Sequence, residues 1–191
     1  MTATQLANQA LLKLSAKMIT SIEATNDAVA MVCNELLQPS LDTFCTGYRW
    51  SWCEQVANLT YVADPSPAPV DYDYEYQVPT DFLQLLKLKD EYDNRIRDYV
   101  LVTNNRIRCN SDTLKLYYVS SIAPDTLPAT AIDAFTSYYA HRLSPSVDGG
   151  RRMQLLLQLA NQKGTAAFME DAAQRPSPID EENYNARVHN N

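Results

Sequence analysis

Glycine is scarce in this chain, with four in 191 residues. Neither GxGxxG nor GxxxxGK followed by Ser or Thr occurs, so no glycine-rich phosphate loop is encoded. Histidine is rarer still, at two. No GxSxG elbow presents a serine to His141, which reads as a residue near a helix C-terminus facing the dipole. His189 reads as solvated. The cysteines Cys33, Cys45, Cys53 and Cys109 have no CxxC spacing and no nearby histidine, which argues against zinc and against a disulfide scaffold. They read as buried, reduced thiols. No apolar run approaches the roughly 20 residues that span a bilayer, and the N-terminus lacks a basic stretch leading into an apolar one. The expectation is a soluble protein made without export. Acidic residues outnumber basic ones to give a formal charge of −7. That balance disfavours tight, non-specific binding of nucleic acid but permits a surface past which DNA slides.

What is present divides the chain into three regimes. Residues 3 to 19 repeat Leu6, Ala7, Ala10, Leu11, Leu14 and Met18 at helical spacing. Thr25 or Asn26 can cap a second helix with Asp27 in its first turn, which Pro39 should end, and Ser40 can cap a short segment through Phe44. "YRWSWCEQVANLTYV" reads as an extended entry and then a helix over Ser51 to Leu59. "DPSPAP" places prolines in alternate positions and cannot be helical. From Asp71 to Val119 the period becomes that of strands, giving five in a small antiparallel meander. Asn104-Asn105 and Asn110-Ser111-Asp112 supply turns between the last three. Pro128 then opens a helix through about Leu143, and Asp148-Gly149-Gly150 breaks the chain. A last helix over about Arg151 to Ala173 carries Met153, Leu156, Leu157, Ala160, Gly164, Ala167 and Phe168 on one stripe. Gly164 is costly inside a helix and so marks close packing.

The fold expected is mainly α, of the α+β class. Helices from residues 1–63 and 124–174 form one bundle, and residues 64–123 insert an antiparallel β region. Residues 175–191, "RPSPIDEENYNARVHNN", form an extended tail. Leu11, Leu14, Trp50, Trp52, Tyr76, Phe135, Leu156 and Leu157 are the expected core. The aromatic pairs Trp50/Trp52 and Tyr117/Tyr118 read as core, with interface anchors as the sharper alternative.

The stretch "DYDYEYQVPTDFLQLLKL", residues 71 to 88, is the least ordinary. Alternation with period 2 puts Tyr72, Tyr74 and Tyr76 on one strand face and Asp71, Asp73 and Glu75 on the other. Aspartate opposes strand formation, so the acidic face needs a purpose. Metal binding is disfavoured, because the calcium-loop pattern is missing and residues two apart on a strand lie about 7 Å apart. No cofactor or metal is expected. Arg95, Arg97, Arg106 and Arg108 form two basic pairs with matching period in the same region. They point to charge pairing across strands or between subunits rather than to nucleic-acid binding.

The order of these features resembles a known family. "NQALLKLSAKMITSIEATNDAVAMVCNELLQPSLDTFC" followed by "WSWCEQVANL" is similar to the adaptor proteins of tailed bacteriophages, of the tail tubular protein A or head completion type. The family pattern Tyr-x-x-Pro-x-Asp-x-Leu is matched by Tyr76, Pro79, Asp81 and Leu83. "LKLYYVSS" and "AFTSYYAHRLS" resemble the family's late strand and late helix. Ser15 departs from the pattern, standing where a glycine often ends the first segment. The resemblance implies a non-enzymatic virion protein of the neck, assembled in the host bacterial cytoplasm. It would form a homo-oligomeric ring, usually dodecameric, that docks on the portal protein and meets tail nozzle or neck proteins. DNA would pass through without sequence-specific binding. In that setting Asp71, Asp73, Glu75, Arg95, Arg97, Arg106 and Arg108 would lie at a subunit interface or line the channel. Arg175, Pro176, Pro178, Ile179, Tyr184 and Arg187 would belong to a portal-binding tail. The readings it competes with are a small helical protein-binding module outside any virion, and a hydrolase or metal-dependent enzyme.

Overall fold

A computed structural model of the chain describes residues 1–63, 71–102 and 105–175. These residues form four α-helices and two small antiparallel sheets, an α+β fold. The prolines at 65, 67 and 69, the Asn104 half of the Asn-Asn turn, His189 and the tail from residue 176 onward lie outside the described residues.

Helix α1 spans Ala3–Lys13, shorter than its periodicity suggested. Thr2 and Gln5 close a capping box at its start. At its end Ser15 adopts φ 54°, the left-handed conformation that glycine takes most readily. Arg152 stabilises this turn, donating to the Lys13 carbonyl at 3.0 Å and to Ser15 Oγ at 2.7 Å. Met18, expected on the helical stripe, is therefore beyond the helix and exposed.

Helix α2 spans Ala28–Gly47, with Asp27 itself as the N-cap, accepting from the Val29 and Ala30 amides. Pro39 does not end it. An internal proline costs about 3 kcal/mol. Beyond it, Leu41, Phe44 and Cys45 continue the buried face begun by Ala30, Cys33 and Leu37. At about 1.5–3 kcal/mol per large apolar side chain, that burial outweighs the lost hydrogen bond. The short segment capped by Ser40 is therefore part of α2.

The expected helix over Ser51 to Leu59 is also corrected. Ser51–Cys53 make one 3-10 turn, and Glu54–Leu59 are strand β1. Six consecutive residues pair with β7 (Leu114–Ser120), from Glu54 opposite Val119 to Leu59 opposite Leu114. Ladder pairing overrides the helical spacing, and Ala57 and Leu59 turn toward the β core.

The remaining strands are β2 (Tyr74–Gln77), β3 (Phe82–Lys89), β4 (Arg95–Ile96), β5 (Tyr99–Val102) and β6 (Arg106–Cys109). They do not form one meander. One sheet has the order β1-β7-β3-β4 and the other β2-β6-β5. The Asn110-Ser111-Asp112 turn therefore carries the chain from one sheet to the other rather than closing a hairpin. Tyr76, Ile107 and Cys109 from the second sheet meet Leu88, Leu114, Leu116 and Tyr118 from the first in a shared apolar layer.

Helix α3 spans Ala129–Val147 with Pro128 as its N-cap, and it runs through Pro145. His141 is thus inside the helix, half-buried, with Nδ1 2.9 Å from the Met153 carbonyl. Asp148 ends the helix by accepting from the Gly150 amide and Ser144 Oγ. Gly149 and Gly150 both have positive φ, which a tight reversal requires. Helix α4 then spans Met153–Ala173. Helix α3 packs against α1, α2 and α4, so the N- and C-terminal parts of the chain share one core. Leu11, Leu14, Trp50, Phe135 and Leu156 are buried there and Tyr76 in the β layer, as expected. Trp52 packs half-buried against the helical core. Leu157 does not belong: it faces outward, because the buried stripe of α4 is the narrow line Leu156, Ala160, Gly164, Ala167. A Cβ on Gly164 would lie 2.7 Å from Tyr48 Oη, so the glycine does mark a close approach.

Candidate assembly surface on the strand region

Strand β2 sits against β6 with Glu75 directly opposite Arg108 and Gln77 opposite Arg106. Both arginines reach the one carboxylate: Arg106 Nη1 is 2.5 Å from Oε1 and Arg108 Nε is 2.5 Å from Oε2. The Glu75 side chain is only 1% exposed. Burial pushes its pKa upward, but the hydrogen bonds and positive charges of the two arginines outweigh that and hold it below the usual carboxylate range. The backbone contributes as well, since the Val62 amide donates to the Glu75 carbonyl at 2.6 Å. Glu75, Arg106 and Arg108 thus form one intramolecular clamp between neighbouring strands. As a buried group Glu75 presents no acidic face to solvent.

The other row members are placed differently. Asp71 and Asp73 precede the strand and are exposed, with the Asp73 amide donating to Asn110 Oδ1 at 3.0 Å. Tyr72 donates to Asp98 at 3.2 Å. Arg95 and Arg97 are exposed, and neither makes an ion pair among the described residues. Asp73, Arg97, Asp98 and Asp112 line an open groove of about 630 Å³ between the tips of the two sheets. A smaller hollow of about 420 Å³ beside it is bordered by Tyr61, Asp90, Glu91 and Lys115. The tip therefore carries mostly carboxylates, with single cations among them. No group of described His, Cys, Asp or Glu side chains is arranged to hold a metal ion.

The motif residues Tyr76, Pro79, Asp81 and Leu83 make the joint between the sheets. Tyr76 Oη donates to the Ser111 carbonyl at 2.6 Å. The Phe82 amide donates to the Pro79 carbonyl, and the Asp81 carbonyl accepts from the Ser121 amide at 2.7 Å. Tyr118 Oη donates to the Asp81 carboxylate at 3.2 Å, and Leu83 packs on the helical core. Beside this joint, Asp42 on α2 accepts from Ser121 Oγ at 2.6 Å and from Gln38 at 2.9 Å, tying helix to sheet. No regular spacing in the sequence announces that network.

Arg175 is tied to the folded body. It pairs with Asp171 at 3.1 Å and Glu54 at 3.3 Å, and donates to the Arg49 carbonyl. The four cysteines are free and buried, and burial pushes the Cys33 thiol up to about 11. No described helix is long and apolar enough to cross a membrane. No protein-family model and no curated protein matches the chain.

Proposed function

We propose that the chain is a head-to-tail adaptor of a tailed bacteriophage. It docks as a ring, dodecameric in the family it resembles, on the portal protein, joins the capsid to the tail, and contributes to the channel through which DNA leaves. The observation that supports this most is the joint built by Tyr76, Pro79, Asp81 and Leu83. The residues that carry the resemblance in sequence also join the two sheets, and one of them, Leu83, packs the β region on the helical core. In this reading the helices meet the portal, and the exposed tip of the sheets meets neighbouring copies and tail proteins. Asp71, Asp73, Arg95 and Arg97 are the row members free to pair between copies or to line the channel. Residues 176–191 reach along the portal.

Mixing the purified chain with its cognate portal tests the proposal. Native mass spectrometry and electron microscopy should find many copies per portal, closed into a ring. No complex, or a persistent one-to-one complex, would overturn it. Removing residues 176–191 should leave the fold intact and weaken portal attachment.

A further inference from the structure

The outer face of the four-stranded sheet carries a row of like charges. Lys115 on β7 stands opposite Lys89 on β3, and Lys89 stands opposite Arg95 on β4. Their strand neighbours Leu88, Ile96, Leu114 and Leu116 turn into the β layer, so all three cations point the other way. Lys87 lies further along β3 on the same face, opposite Tyr117. Its Nζ is 4.3 Å from the centre of the Tyr117 ring, and that of Lys89 is 5.5 Å away. Like charges directly opposite one another destabilise a sheet. Here Lys115, Lys89 and Arg95 stand abreast on adjacent strands, about 10 Å from first to last. Among the described residues, Asp93 alone forms an ion pair with this group, through Lys89. Lys87, Lys115 and Arg95 make none there. Asp90, Glu91 and Asp112 border Lys115 from the hollow at the sheet tip.

We infer that this face binds the phosphate backbone of duplex nucleic acid without reading its sequence. An unbalanced row of cations fits a partner whose negative charge repeats regularly, and a duplex carries one charge per about 1.7 Å of its axis. The lysines also fix the mode of contact. Held over Tyr117, they cover the ring face on which an unpaired base would stack, so the contact is with phosphates rather than bases. The net charge of −7 and the carboxylates at the tip confine the contact to this face and weaken it. With Asp93 neutralising Lys89, about three phosphates are engaged, and log affinity falls against log salt with a slope of about −3. The acidic tip of a second copy fits less well. Its groove sets Arg97 among the carboxylates Asp73, Asp98 and Asp112 and so offers no unbroken negative row. The inference does not rest on the adaptor reading, because it needs neither a portal nor a ring.

Fluorescence anisotropy of a short labelled DNA duplex, titrated with the full chain, tests this. At low salt the dissociation constant should be on the order of 10⁻⁴ M and should weaken with added salt along the slope given above. The double variant Lys87→Gln, Lys115→Gln should bind at least about fivefold more weakly and lose about two from the slope. Its circular dichroism and thermal midpoint should match those of the parent. A control pair in the helical region, Lys17→Gln with Arg151→Gln, makes the same change in net charge at two exposed positions. It should leave the affinity within about twofold, because distant charges are screened. No binding at millimolar chain, an equal loss from the control pair, or tighter binding of a single strand than of the duplex would each overturn the inference. So would sedimentation showing that Lys87→Gln, Lys115→Gln costs the chain self-association and no DNA affinity. That result would assign the row to the carboxylates of a second copy.

Discussion

The helical region and the strand region solve the same problem with different materials. The helical core is closed by aromatic contact. Phe44 lies 5.1 Å from Trp50 and 5.6 Å from Phe135, Phe135 stacks on Tyr139 at 5.7 Å, and Trp50 donates its indole N–H to the Phe44 carbonyl. The strand region has a smaller apolar layer, and on the far side of β2 it spends a buried carboxylate and two arginines to hold β2 to β6. Apolar packing contains no titrating group, whereas a buried ion pair depends on both partners keeping their charge. The two regions should therefore fail under different insults, and the tryptophans allow this to be watched. Both Trp50 and Trp52 belong to the helical core, so their fluorescence reports on that region alone.

The largest effect is expected at the aromatic cluster. Trp50→Ala removes a side chain that is 1% exposed from the centre of that packing, at about 3–5 kcal/mol. Chemical denaturation followed by circular dichroism should show it as a lower midpoint. A loss under 1 kcal/mol would mean that the helical core does not depend on this residue.

Glu75→Ala comes next, at about 3 kcal/mol, because it leaves two arginines facing each other without their shared partner. Hydrogen exchange should quicken in β2 and β6 first, while α3 and α4 keep their protection. The same clamp gives a pH signature. The folded carboxyl of Glu75 titrates below its unfolded value of about 4.3, so its contribution is complete above that pH and is lost as pH falls through the folded pKa. As pH falls below the unfolded value and through the lower folded pKa of Glu75, the strand region should loosen while tryptophan fluorescence holds. Coincident loss of both signals would erase the distinction between the regions.

Gly164→Ala sharpens the comparison from the helical side. The added Cβ would sit 2.7 Å from Tyr48 Oη and 2.9 Å from its Cζ, so the ring must move. Overpacking of this kind costs about 1–3 kcal/mol, against a gain of about 1 kcal/mol in helix propensity. A net loss of stability is expected from thermal melting, and a stabilised variant would show that Tyr48 yields freely.

The same contrast explains what the sequence revealed. Helical stripes with matched caps were legible: Asp27 sits within a residue of the expected cap, and Leu11, Phe135 and Leu156 lie in the core. Errors arose where a long-range partner decides the local state. Glu54–Leu59 looks helical in isolation and becomes a strand only because β7 lies alongside it. Pro39 looks terminal until the apolar face beyond it is counted. In the strand region the period-2 rows were visible, but pairing depends on which strands meet. Nothing local places Glu75 between Arg106 and Arg108 while leaving Asp71 and Asp73 in solvent.

The smallest effect on folding, and under the adaptor proposal the sharpest on assembly, is expected at Asp73. Exposed and without an ion-pair partner among the described residues, it can be reversed to arginine at under about 0.5 kcal/mol. An exposed pair is worth only about 0.2–1 kcal/mol once, yet repeated around a ring and partly shielded it can set the register of neighbouring copies. The compensating partner must be chosen with the clamp in mind. Arg106→Glu would place a second carboxylate against Glu75 and damage the strand region, so it cannot serve as a clean rescue. Arg97 is exposed on the same groove. If the row pairs between copies, Asp73→Arg should impair ring formation on the portal, and Arg97→Asp in the same chain should restore part of it. If Asp73 instead faces the channel, the single variant should assemble normally and slow DNA exit, because a cationic lining holds phosphates that a carboxylate repels, and Arg97→Asp should give no rescue. Normal assembly with normal DNA release would leave Asp73 a solvated residue, and would move the search for the contact between copies away from the tip of the sheets.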